Sequence, residues 1–190
     1  MRIEFLKQPK AGDIAFSYPV ELGFYSRGVR FFTKSFWSHS FHLSIDYLGQ
    51  RMVFETDLKA QLVPFEKEYI EKKADAYEIW RPIKATAPEI LHATKHSYFS
   101  IAGETYGFLS IPWFAVREMV YWITKKKLWK NFKTEGAICS ESLIVYIQAL
   151  GGEYLEAFKS LTRDETSPED IYRIVKSRPD LFELIGSRKE

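Results

Sequence analysis

The sequence predicts an α+β fold in a single domain spanning residues 1–190. Three observations carry that expectation: strand-like runs crowd the first eighty residues, helical periodicity with capping signals follows, and neither repeats nor low-complexity tracts interrupt the chain. With 190 residues and 46% hydrophobic content, including five Trp, eleven Tyr and fifteen Phe, the chain can bury a sizeable core.

Residues 12–19, "GDIAFSYP", read as a first strand opened by Gly12-Asp13 and closed by Pro19. Leu22, Tyr25, Val29 and Phe32 follow at helical spacing and predict a short helix. "HSFHLSIDYLGQRMVFETD" reads as a hairpin, with strands 41–47 and 51–56 around Leu48-Gly49-Gln50. "AQLVPF" and "DAYEIWRPI" add two strands, the second ending at Pro82. Thr86 can then cap a helix with Pro88 in its first turn, running to Gly103, with Ile90, Leu91, Thr94, Tyr98 and Ile101 as its buried stripe. "CSESLIVYIQALGG" predicts a second helix starting at Cys139, with Leu143, Ile144, Ile147 and Leu150 on one face and a Gly-Gly stop. In "TSPEDIYRIVKSRP", Ser167 as N-cap, Pro168 at N1 and Asp170 at N3 form the start of a third.

Gross composition excludes several function classes. The formal net charge of +2 calls for no nucleic-acid partner. One cysteine permits neither an internal disulfide nor a multi-cysteine zinc site, and suits a reducing cytoplasm. The N-terminus lacks the apolar core of a secretory signal, and no run nears the roughly 20 apolar residues of a membrane span. Segment 111–133 concentrates three Trp, two Phe and a Tyr among six cationic side chains. It reads either as a helix packing its aromatics on the core or as an interfacial element touching lipid phosphates.

Cys139 stands where a loop containing Gly136 turns into an amphipathic helix. The unpaired N–H groups of a helix start favour negative charge on sulfur and can stabilise an oxyanion. Such a nucleophile needs a base, and imidazole is suited to take its proton near neutral pH. His92 and His96 are four apart on a helix in "HATKH", which lacks the Glu of a zincin motif, and read as surface residues. His39 and His42 open a strand, and alternation puts them on opposite faces if that strand includes residue 39. Glu55 on the next strand could hold an imidazole's tautomer as the third member of a triad.

"GDIAF", "RFFTKSFWSHS", "MVFET", "GAICSESLIVYI" and "TSPEDIY" occur in an order that resembles the permuted papain-fold hydrolases related to NlpC-type cell-wall peptidases, the YiiX/YaeF-like group. "AGETYGF" resembles the turn that precedes the nucleophile helix in that family. The resemblance covers about residues 11–175. It implies a circularly permuted papain-like fold, with Cys139 as nucleophile, His39 as base and Glu55 as the polar third residue. The family usually continues after Ser-His with small or aliphatic residues, whereas this chain has Ser40-Phe41-His42, so His42 is the alternative base. Trp37, Tyr106 and Trp113 are the candidate substrate-binding residues. The implied activity is cysteine-dependent hydrolysis of an amide or ester, with cell-wall peptide as a candidate substrate and no metal or cofactor. Lipid acyl transfer, as in the similar lecithin:retinol acyltransferase group, and a non-catalytic binding or structural module are the alternatives.

Overall fold

A computed structural model describes residues 4–18, 36–56, 60–71, 76–102, 120, 123–124, 139–163 and 166–188. The helix expected over 22–32 lies outside these residues, as does nearly all of segment 111–133.

Among the described residues, seven strands form one antiparallel sheet: β1 (Glu4–Phe5), β2 (Ile14–Tyr18), β3 (His39–Leu43), β4 (Met52–Thr56), β5 (Ala60–Pro64), β6 (Ala76–Pro82) and β7 (Phe182–Arg188). Their spatial order is β1-β7-β6-β2-β3-β4-β5. A π-helical turn, Glu66–Glu71, follows β5. The helices are α1 (Ala87–Ile101), α2 (Cys139–Ala149), α3 (Gly152–Phe158) and α4 (Pro168–Ser177).

Strand alternation divides the sheet's side chains between two cores. Ile14, Phe16 and Trp80 point toward α2, α3 and α4, where they meet Leu143, Ile147, Phe158 and Ile171. Ala15, Phe41, Leu43, Val53 and Ile79 point the other way, against Phe65 and Tyr69 at the π-helical turn. The hairpin starts and ends earlier on its first strand than expected: β3 spans 39–43, not 41–47. Beyond Leu43 the pairing thins to a single bridge, Tyr47 to Gln50, around a turn in which Leu48 and Gly49 both have positive φ.

The capping signals act as the sequence implies. Thr86 and Glu89 form a reciprocal capping box at α1, and Ser167 and Asp170 form another at α4, where Asp170 replaces the usual longer acid. Gly151 and Gly152 both adopt positive φ where α2 stops, the conformation that favours glycine. All four residues of the stripe expected on α2 are buried.

The stripe expected on α1 is rotated. Ala93, Thr94, Ser97 and Ile101 face inward, while Leu91 is exposed and Ile90 and Tyr98 are half-buried. Small residues let α1 approach α2 closely enough for Ser97 Oγ to donate to the Ser142 carbonyl at 2.9 Å. The close backbone approach outranks the size of the side chains in deciding which face is buried.

The Gly12-Asp13 opening is a structural device. Gly12 has φ +92°, and a Cβ there would sit 2.7 Å from Ile90 Cγ2. The fully buried Asp13 receives a two-pronged pairing from Arg81 on β6, with both N–O distances 2.8 Å, and accepts from the Lys10 N–H. A planar guanidinium matched to both carboxylate oxygens compensates the burial of that charge.

Candidate functional site

Cys139 is the first residue of α2 and is 4% exposed. Its neighbours fix the helix start. Ser140 Oγ donates to the Thr166 carbonyl at 2.5 Å, and Ser142 Oγ to the Cys139 carbonyl at 3.0 Å. Arg163 pairs with Glu141 at 3.3 Å. The "CSES" run thus anchors the helix to the segment before α4 and to its own first turn. Cys139 Sγ lies 3.9 Å from the carbonyl oxygen of Ser38, the residue preceding β3.

His39 is the first residue of β3, paired in register with Ser17 of β2. Its side chain is 18% exposed. At a strand end a ring is less confined to one sheet face than within the strand. The Cys139 side chain lies close enough to favour the charged form of the His39 ring. His39 Nε2 also lies 3.3 Å from Glu55 Oε2 and 3.2 Å from the Tyr69 hydroxyl. Burial alone opposes charge on this imidazole. The hydrogen bonds to Cys139 and Glu55, with the Coulombic attraction of both, outweigh it and lift the ring from 6.5 to about 10.

Glu55 is buried on β4, and Tyr69 Oη donates a hydrogen bond to its Oε2. Tyr69, in the π-helical turn, is the member of this cluster that sequence reasoning missed. "FEKEYIEKK" looks like a solvated charged run, and only the four-residue spacing of Phe65 and Tyr69 hints at a buried face. Nothing local signals a polar role for the phenol.

The two histidines of β3 go to different places. His42 points to the opposite face from Phe41 and Leu43 and is fully buried. Its ring stacks on Tyr146 of α2, with centroids 4.3 Å apart and planes 10° from parallel, and meets Phe54 edge-on. Neither ring nitrogen has a hydrogen-bond partner among the described residues. Burial pushes it down to about 3, so it is neutral throughout the physiological range. Its surroundings are those of a core side chain.

Trp37 is 3% exposed and packs among Phe16, Phe36 and Tyr172. That makes it part of the core beneath the Ser38–His39 segment, not an open contact surface. Tyr106 and Trp113 lie outside the described residues. His92 and His96 are both exposed on α1, their rings 6.1 Å apart. Among the described residues, no group of three or more His, Cys, Asp or Glu is disposed to hold a metal ion, and no helix is long and apolar enough to cross a membrane.

No protein-family model matches the chain, and no curated protein matches it significantly. Among solved structures it is similar to the metalloprotein yiiX from Escherichia coli O157:H7, with a TM-score of 0.59. That superposition covers 97% of this chain and 100% of the other, at 15% sequence identity. At such identity the likeness speaks to architecture alone. The chain has a yiiX-like α+β fold.

Proposed function

We propose that this protein is a thiol-dependent hydrolase of amide or ester substrates, with Cys139 as nucleophile, His39 as base and Glu55 as the residue that orients the ring. One observation carries the reading: His39 Nε2 meets the buried Glu55 carboxylate, and the Cys139 side chain beside the same ring favours its charged form. A nucleophile, a base within reach and a third group holding the base are the parts that covalent catalysis requires.

The chemistry runs in two halves. Cys139 sulfur attacks the substrate carbonyl carbon, forming a C–S bond, while N–H groups at the start of α2 receive the developing oxyanion. The C–N or C–O bond then breaks, His39 gives its proton to the leaving group, and a thioester remains. Water attacks that thioester, His39 takes its proton, and the acid departs as the thiol is restored. An alcohol or amine in place of water would make the same site an acyltransferase. The order of histidine and glutamate strands before the cysteine helix supports a circularly permuted papain-like arrangement, related to the NlpC-type peptidases. A peptide or acyl-bearing small molecule is the substrate class, cell-wall peptide among the candidates. The need to keep a lone thiol reduced favours a cytoplasmic setting. The 111–133 segment, rich in aromatic and basic residues, is the candidate contact for lipid.

The test is capture of the covalent intermediate. Brief incubation with an activated aryl ester, followed by intact-mass and peptide mass spectrometry, is expected to show an acyl group on Cys139 that disappears with time. Folded protein that acquires no acyl group and releases no phenol would make the chain a non-catalytic module.

A further inference from the structure

We infer that Tyr69 is a positioning residue of this site: its hydroxyl donates to Glu55 and accepts from His39 Nε2–H, and so fixes which ring nitrogen is left for the sulfur. The inference rests on the catalytic reading above and assigns the residue that sets its geometry.

The hydrogen bonds among these three side chains fit one arrangement. An ionised carboxylate only accepts, and a phenol has a single proton to give. The Tyr69 O–H therefore points at Glu55 Oε2. Its lone pairs then face His39 Nε2, 3.2 Å away, while Glu55 Oε2 lies 3.3 Å from the same nitrogen. Two acceptors converge on Nε2, so the proton resides there. Nδ1 is the nitrogen left to exchange a proton with Cys139.

The phenol is held from behind as well. Tyr69 is 1% exposed, and its ring lies 4.2 Å from the Phe41 ring and 6.2 Å from that of Phe65, centroid to centroid. The turn carrying it is pinned to the entry of β4. Phe65 N–H donates to the Arg51 carbonyl at 2.8 Å, and the Arg51 side chain pairs with Glu66 at 2.7 Å. A hydroxyl on so fixed a ring constrains the carboxylate more tightly than water could.

The experiment measures the second-order rate of Cys139 alkylation by iodoacetamide across pH in wild type, Tyr69→Phe, Glu55→Gln, the double variant and His39→Ala. Phe keeps the ring and its packing. Tyr69→Phe is expected to slow alkylation at neutral pH about tenfold, the scale of losing an outer hydrogen-bond partner, and to displace the pH profile. The double variant is expected to lose less than the product of the two single losses, because phenol and carboxylate hold the same ring nitrogen and each other. A wild-type rate and pH profile in Tyr69→Phe, or losses that multiply in the double variant, overturns the inference. If His39→Ala also reacts like wild type, the catalytic reading fails with it; if His39→Ala is slow and Tyr69→Phe is not, the inference fails alone. Should Tyr69→Phe not fold, fluorotyrosine in place of Tyr69 preserves the hydroxyl while making it more acidic. A displaced pH profile is then expected, and an unmoved one is contrary.

Discussion

Replacing Cys139 with alanine is expected to reduce ester or amide turnover to the uncatalysed background, and His39→Ala to slow it by about a hundred- to ten-thousand-fold. The two losses share an origin. Alanine at 139 removes the atom that would bond to the acyl group, whereas alanine at 39 leaves the sulfur in place without the ring that takes and returns its proton. Because both residues act in one step, the double variant is expected to be no worse than Cys139→Ala, so their effects do not multiply. Glu55→Gln keeps the shape but removes the charge that attracts the imidazolium, and falls between wild type and His39→Ala. Steady-state hydrolysis of an aryl ester, with thermal unfolding to verify each variant, measures the series. Turnover that survives in Cys139→Ala would place the chemistry elsewhere.

His42 governs stability instead. In the folded protein burial holds it neutral down to about 3, whereas the unfolded chain binds the proton below about 6.5. Its neutral ring therefore contributes stability that is fully present above pH 6.5 and is lost progressively as pH falls toward 3. At about 1.4 kcal/mol per pH unit, the loss reaches about 2 kcal/mol by pH 5. His42→Phe preserves the stack on Tyr146 and removes the titrating group. Urea unfolding at neutral pH and at about pH 5 is expected to show this variant gaining about 2 kcal/mol over wild type on the acid side. The same variant is expected to retain thiol reactivity, which distinguishes His42 from His39 as base. Stability curves that run parallel for the two proteins would mean that His42 is not buried as described.

Elements with strong local signals were legible in the sequence, and those that depend on distant partners were not. The capping boxes at Thr86 and Ser167 and the glycine stop after α2 are written in a few adjacent residues each. Strand β7 is not: "FELIGSR" places Gly186 and Ser187 beside Glu183 and Arg188, with weak alternation, and it becomes a strand by pairing with β6 across an irregularity at Ile79/Trp80. Helix α3, directly after the glycine stop, is too short to show a stripe in the sequence and is held by Tyr154 and Phe158 packing into the core. At the site, the strand register decides where each histidine ring lies. Once β3 begins at His39, alternation sends His42 into the helix-facing core, while His39 at the strand end meets Glu55 and Tyr69. Tyr69 was invisible because its partner Glu55 lies on β4, outside the π-helical turn, and only the fold brings them together.

The most direct test of the Cys139–His39 pairing is a nuclear magnetic resonance titration of the His39 ring in wild type and in Cys139→Ala. Hydrogen bonding and attraction from the sulfur should keep the wild-type imidazole charged until about pH 10, and its removal should bring the ring down by a large part of that rise. A His39 that titrates at the same pH in both proteins would contradict the account.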